Sequence, residues 1–182
     1  PDFVEVPIKK LINKKYLASR SKLIKLKSKA LKIYPGKLNL GYELGLNDEI
    51  LANSTTHFVI IDKFGNAVSM TSSVESAFGS RIMSEGMMMN NQLTDFSFKY
   101  LDDLGFPISN SVAPGKRPLS SMTPTIIFDP NGNLYALVGS PGGKSIISYV
   151  AQTIVGLIDL NFSMQKSINE PRFLVQGKNT IL

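Results

Sequence analysis

The sequence predicts a layered α+β fold with antiparallel sheet. Three observations predict it. An apolar stripe with lysines on the other side opens the chain. Two pairs of strand-like runs follow, each folded about a turn of Gly, Asn and Asp residues. A glycine-rich segment then leads into an apolar helical stretch.

Leu11 to Ile33 reads as a helix, because Leu11, Ile12, Leu17, Ala18, Leu23, Ile24, Leu26, Ala30 and Leu31 fall near one side. Pro35-Gly36 stops it. Residues 35–54 are rich in Gly and Asn, the chemistry of a loop and a plausible place for chain scission. Residues 56–62 and 66–72 form a hairpin around Phe64-Gly65-Asn66. Met87-Met88-Met89 fits a core strand better than a ligand site. Residues 97–118 are mostly loop. Thr123 to Phe128 and Asn133 to Val138 form a second hairpin around Asp129-Pro130-Asn131-Gly132. A helix spans about Lys144 to Leu157, Ser163 to Asn169 adds a helical turn or two, and Arg172 to Val175 is a strand. No internal repeat or low-complexity segment is visible.

With 182 residues, 43% of them hydrophobic, the chain can bury a real core. It has no cysteine, which excludes disulfides and thiolate metal sites. That absence fits a bacterial cytosol or periplasm equally. No apolar run approaches the length of a membrane span. The net charge of +6 resides in residues 1–54, which hold 11 Lys+Arg against 5 Asp+Glu. A nucleic-acid-binding arm is one reading. A solvated basic helix is the better one, since the lysines are dispersed and no aromatic stacking pattern accompanies them.

Most side-chain nucleophiles need a separate base. A threonine at a new N-terminus carries its own, because its α-amino group titrates at about 7.7–8.0. Thr55-Thr56-His57-Phe58 opens a strand directly after the loop, so scission of Ser54–Thr55 creates that arrangement. Gly139-Ser140-Pro141-Gly142-Gly143 lies between strand and helix. It offers unpaired N–H groups to a developing oxyanion, although a plain glycine turn explains it too. Ser120 and Ser121, between two prolines, fit a carboxylate-holding loop and a hydroxyl-capped turn equally. Asp95, near Asn90, Asn91 and Gln92, could pair with an ammonium, but a polar loop is the plainer reading. His57 is the only histidine. A metal site would need further ligands, so no metal and no cofactor is expected, and His57 is read as structural.

These segments, in this order, resemble the γ-glutamyltranspeptidases, members of the N-terminal-nucleophile hydrolase superfamily. Thr55-Thr56-His57-Phe58, Gly65-Asn66-Ala67-Val68-Ser69, Phe78-Gly79, Asn90 through Phe96, Arg117 through Thr125, Gly139 through Gly143 and Asn169 through Phe173 carry the resemblance. Pro1 through Val4 and Tyr16 through Arg20 resemble the end of the family's large chain. The resemblance implies a four-layer αββα sandwich with antiparallel sheets. It implies residues 1–54 as the end of the large chain and 55–182 as the N-terminal two-thirds of the small catalytic chain. It further implies a precursor that cuts itself at Ser54–Thr55 and leaves Thr55 as nucleophile. Gly142 and Gly143 would form the oxyanion hole, Ser120 and Ser121 would contact the α-carboxylate of a γ-glutamyl group, and Gln92 and Asp95 would hold its α-amino group. Ser73 matches a threonine that supports the nucleophile, and Glu75 another substrate-side polar position. The implied reaction is γ-glutamyl transfer from glutathione or a related amide to water, an amino acid or a peptide. The implied partners are that small molecule and the rest of the protein's own large and small chains, with no nucleic acid.

Three departures accompany the resemblance. Ser73 lacks the methyl group that restricts a threonine rotamer, and the segment Thr71 through Gly79 is more like bacterial homologues that include acylases. A large-chain arginine that clamps the α-carboxylate has no counterpart from Pro1 onward. An uncut fragment spanning the processing point is therefore expected, with little or no activity by itself. An acylase or amidase with another acyl donor, or a non-catalytic relic of the fold, are the competing readings.

Overall fold

The computed structural model describes residues 6–24, 36, 38, 55–176 and 179–181. The chain divides into two compact units: Pro1–Asp48 with Ser97–Arg117, and Glu49–Phe96 with Pro118–Leu182.

In the first unit the expected single helix is two. Helix α1 spans Ile8–Leu11 and α2 spans Lys14–Ser21. The break falls at Asn13, whose side chain accepts from the Lys15 and Tyr16 N–H groups and so caps α2. Lys25 through Ile33 of the expected helix lie outside the described residues. Residues 97–117 form a loop, as their composition predicts. Asp102 Oδ1 accepts from Leu104 and Phe106 N–H, and Lys116 Nζ donates to the Ser109 and Ser111 carbonyls.

Among the described residues, the second unit contains four antiparallel two-stranded pairs and two α-helices. Strand β1 (Thr55–Ile61) pairs with β2 (Ala67–Ser73) in the register Thr55 to Ser73 and His57 to Thr71. Strands β3 (Met83–Ser84) and β4 (Met87–Met88) form a tight hairpin turning on Glu85-Gly86. The methionine run is thus a strand but not core: Met87 and Met89 are exposed, because a two-stranded hairpin has no second layer over it. Strands β5 (Thr125–Phe128) and β6 (Leu134–Val138) form the second expected hairpin. A 3-10 turn, Gly143–Ser145, leads into α3 (Ile146–Ile158). Helix α4 (Met164–Asn169) starts on a Ser163 cap. Strands β7 (Leu174–Gln176) and β8 (Asn179–Ile181) close the unit as a hairpin, where the sequence predicted one strand.

The two long hairpins use one turn chemistry. Asp62 Oδ1 accepts from Phe64 and Asn66 N–H while its Oδ2 takes the Asn66 side-chain amide. Asp129 does the same with Asn131 and Asn133. The Asn donors, first among the causes, hold both carboxyls below their ordinary pKa.

The core lies where α3 covers β6. Ile146, Val150, Thr153 and Leu157 recur at helical spacing and are buried. Val138 joins them, with Met122, Ile127, Ala136, Ile154 and Met164 packed around. Arg172 ties α3 to α4, donating to the carbonyls of Tyr149, Ser167 and Ile168. The Ser167 and Ile168 carbonyls belong to the C-terminal turn of α4, whose last carbonyls the helix itself leaves open.

The β1–β2 hairpin reverses the usual polarity. Its half-buried face is polar, with Thr55, His57, Ser69, Thr71 and Ser73. Its exposed face carries Phe58, Ile60, Val68 and Met70.

Candidate functional site

A cavity of about 30 Å³ in the second unit is lined by Thr55, Ser73, Glu75, Gln92, Asp95, Leu119, Ser120, Ser121, Met122, Gly143 and Ile146. It has room for one or two water molecules. Five separate segments bring these residues together: the start of β1, the end of β2 with Glu75, the 3-10 turn Gln92–Asp95, the Leu119–Met122 stretch, and the entry to α3. Among the described residues no lysine or arginine lines the cavity, and two carboxylates do, Glu75 and Asp95.

Antiparallel register sets Thr55 opposite Ser73. Thr55 Oγ1 donates to Ser73 Oγ across a long 3.4 Å, and Ser73 Oγ also accepts from the Glu75 N–H at 2.9 Å. In the chain as it stands, the Thr55 nitrogen belongs to the peptide bond with Ser54. An amide nitrogen is not a base, because its lone pair is delocalised. Ser54 lies outside the described residues.

Glu75 is held in the left-handed region at φ 73° and is only 7% exposed. A bulky residue occupies that conformation only where its surroundings fix it. Glu75 Oε2 accepts from Ser76 Oγ, from the Asn91 side-chain amide and from Thr94 Oγ1. Asn91 also accepts from the Ser76 N–H at 3.0 Å. Asn91 is thus the residue that holds the lining Glu75 in place from behind, without lining the cavity itself. Sequence reasoning placed it in the right motif and gave it no role, since its partners are 15 and 16 residues away.

Asp95 is 6% exposed, and its Oδ2 accepts from Gln92 Nε2. The two are the first and last residues of one 3-10 turn, which brings i and i+3 side chains together. Spending the amide N–H on Asp95 turns Gln92 Oε1 into the acceptor end of the pair.

Ser121 is buried, and Ser120 Oγ accepts from the Met122 N–H at 3.1 Å. The hydroxyl-capped turn is present, and both serines line the cavity.

Gly143 lines the cavity and Gly142 does not. Gly142 has φ 130°, outside the range of L side chains, and the Tyr149 ring would stand 3.2 Å from any Cβ there. Gly142 accepts from the Ser145 N–H, closing the 3-10 turn.

His57 is not among the lining residues. Its Nδ1 lies 2.9 Å from Thr71 Oγ1, and its Nε2 is buried with no hydrogen-bond partner among the described residues. Desolvation lowers its pKa below the ordinary 6.5. Among the described residues no cluster of three or more His, Asp or Glu could hold a metal, and no helix is long and apolar enough to cross a membrane.

Residues 1–181 match the family model described as gamma-glutamyltranspeptidase. The chain is 41% identical over 181 residues to the glutathione hydrolase proenzyme of Escherichia coli, covering 95% of this chain and 30% of that protein. It thus spans under a third of that relative's length. Among solved structures, the Helicobacter pylori gamma-glutamyltranspeptidase T380A mutant is similar at 38% identity with a TM-score of 0.59. That match covers 66% of this chain and 68% of the other. An acivicin-inhibited gamma-glutamyltranspeptidase, whose C-terminus has critical roles in autoprocessing and catalysis, is similar at 39% identity, with a TM-score of 0.58 over 66% and 67% of the two chains. A family match along nearly the whole length, with helices and small antiparallel sheets in the arrangement of these structures, makes the chain a member of the gamma-glutamyltranspeptidase family.

Proposed function

We propose that this chain carries the nucleophile and the acyl-binding wall of an enzyme that transfers or hydrolyses γ-glutamyl groups of glutathione and related amides. The convergence of Thr55, Ser73, Gly143, the two serines and the Gln92–Asp95 pair on one cavity carries the proposal.

Maturation comes first. Thr55 Oγ attacks the Ser54 carbonyl carbon, and the Thr55 nitrogen leaves with a proton, giving an ester. Water hydrolyses the ester to a Ser54 carboxylate and a Thr55 with a free α-amine. That amine, with a pKa of about 7.7–8.0, takes the hydroxyl proton when Oγ attacks the γ-carbonyl of substrate. The proton passes to the departing amine. The γ-glutamyl ester on Thr55 then meets water, which releases glutamate, or an amine, which takes the acyl group.

The remaining residues orient the substrate. The Gly142 and Gly143 N–H groups stand at the start of a helix and stabilise the tetrahedral oxyanion. Ser120 and Ser121 O–H groups donate to the α-carboxylate. Asp95, oriented by its bond to Gln92, receives the α-ammonium on its carboxylate. Glu75 adds a second negative charge to the same wall.

The finer architecture belongs to the same proposal. Residues 1–54 end a large chain, residues 55–182 begin a small one, and the complete protein forms a four-layer αββα sandwich. The rest of the protein covers the exposed apolar face of β1–β2 and completes a cavity that here has room for one or two waters.

Intact mass and N-terminal sequencing of the full-length protein after incubation test the scheme. A new chain beginning at Thr55 is expected. A chain beginning at Thr56, or full turnover by Thr55→Ala, ends it. Comparing γ-glutamyl-p-nitroanilide with a glutaryl amide then decides the donor, and preference for the glutaryl compound would mark an acylase.

A further inference from the structure

We infer that His57 is a positioning residue for this reaction, a ring that holds the strand bearing Thr55 against the segment leading into Gly142 and Gly143. The inference rests on the assignment of Thr55 as nucleophile.

The geometry has three parts. His57 lies two residues after Thr55 in β1, so both side chains project from one face of the strand. Across the hairpin its Nδ1 meets Thr71 Oγ1 at 2.9 Å. Its ring lies against Gly139, the residue after β6, and a Cβ built on Gly139 would fall inside the imidazole. One side chain therefore touches both strands of the nucleophile hairpin and the backbone three residues before Gly142.

The chemistry of the ring fits a neutral spacer. With Nδ1–H donating to Thr71 Oγ1, Nε2 remains as a buried lone pair, which costs less than a buried unpaired N–H. Gly139 has no side chain because the ring occupies that space. The distance between Thr55 and the glycine N–H groups is what sets the attack geometry, and a displacement of about 1 Å there costs about 100-fold in rate. Plain packing predicts a different result: loss of stability with the chemistry of the folded protein intact.

The test uses the full-length protein with His57→Ala, His57→Asn, Gly139→Ala and the double variant H57A/G139A. Self-cleavage is read by intact mass. Turnover of γ-glutamyl-p-nitroanilide is read below each variant's melting temperature. His57→Ala lowers kcat by about 10- to 100-fold with KM within about 2-fold. His57→Asn recovers most of it, because its amide puts a polar atom near the place of Nδ1. Gly139→Ala lowers kcat by itself, and the double variant is no worse than His57→Ala, since the vacated space takes the methyl group. Wild-type kcat and self-cleavage in His57→Ala, or losses that multiply in the double variant, overturn the inference. Should His57→Ala fail to fold, His57→Asn and Gly139→Ala decide alone: wild-type kcat in Gly139→Ala overturns it, and a lowered kcat at unchanged melting temperature supports it. Thr55→Ala separates the two proposals. Full activity there removes the nucleophile assignment whatever the His57 variants do.

Discussion

Replacing Ser73 by alanine removes one oxygen that serves two donors. The Glu75 N–H, in a residue 7% exposed, loses its 2.9 Å acceptor, and a buried orphan donor costs about 1–3 kcal/mol. Thr55 loses a bond that at 3.4 Å belongs at the weak end of the usual range, about 0.5 kcal/mol. Together these come to about 1.5–3.5 kcal/mol, mostly from the backbone of Glu75 rather than from the nucleophile. If that cost falls on the arrangement of Thr55 needed for attack, self-cleavage slows by about 10- to 300-fold, at about 1.4 kcal/mol per tenfold. Ser73→Thr tests the other side. A serine has three rotamer wells, and confining it to one costs at most RT ln 3, about 0.6 kcal/mol. The added methyl of threonine restricts that freedom, so Ser73→Thr speeds self-cleavage by at most about threefold. The assay is a time course of intact mass on the full-length precursor of all three forms, with thermal unfolding measured beside it. Self-cleavage of Ser73→Ala within about twofold of the natural protein would refute the reasoning.

Three further outcomes follow from the same geometry. Glu75→Gln keeps the shape but loses charge assistance to three donors and one negative charge on the cavity wall, so stability falls by about 1 kcal/mol and KM for a substrate bearing an α-ammonium rises several-fold; denaturant unfolding and steady-state kinetics check it. His57, with its pKa lowered by desolvation, binds a proton more weakly folded than unfolded, so stability is flat above about pH 6.5 and declines as pH falls below it. His57→Asn flattens that decline in a series of melting curves. Asp62 and Asp129 have lowered pKa values, so their contribution is present above about pH 3.8 and fades as pH falls further; Asn66→Ala and Asn133→Ala each remove the leading cause, and NMR titration should return the neighbouring carboxyl to its ordinary range.

The legible parts of the fold are the ones set by neighbours in sequence. Asp62 through Asn66 and Asp129 through Asn133 contain every donor and acceptor of their turns, so both hairpins could be read from the chain. The entry to α3 was legible because glycines and an apolar run adjoin there. The 11–33 helix was misread because hydrophobic spacing continues through Asn13, while a side-chain cap interrupts the backbone. The β3–β4 and β7–β8 hairpins escaped notice because strands of two or three residues carry too few side chains to show alternation. In the site, the polar residues announced themselves through motifs. Their partnerships did not: Thr55 with Ser73 spans 18 residues, and His57 with Gly139 spans a whole second hairpin. Composition carries no trace of such pairings.

Burial explains why the site and its setting call for different kinds of evidence. An isolated hairpin places its apolar face inward and its polar face in water. The β1–β2 hairpin does the opposite, with hydroxyls and an imidazole half-buried and Phe58, Ile60, Val68 and Met70 exposed. The β5–β6 hairpin is apolar on both sides: Ile127, Ala136 and Val138 pack toward α3, while Ile126, Phe128 and Tyr135 are exposed. Strands that read as apolar on both faces are those covered on both faces in the finished protein. In the proposed scheme the half-buried polar side chains of β1–β2 supply the chemistry, and its exposed apolar side chains are the ones a further layer of the sandwich would cover, restraining Thr55 and His57 from behind. In the same scheme, cutting the chain at Thr55 frees the amine while the strand that carries it keeps its register with β2.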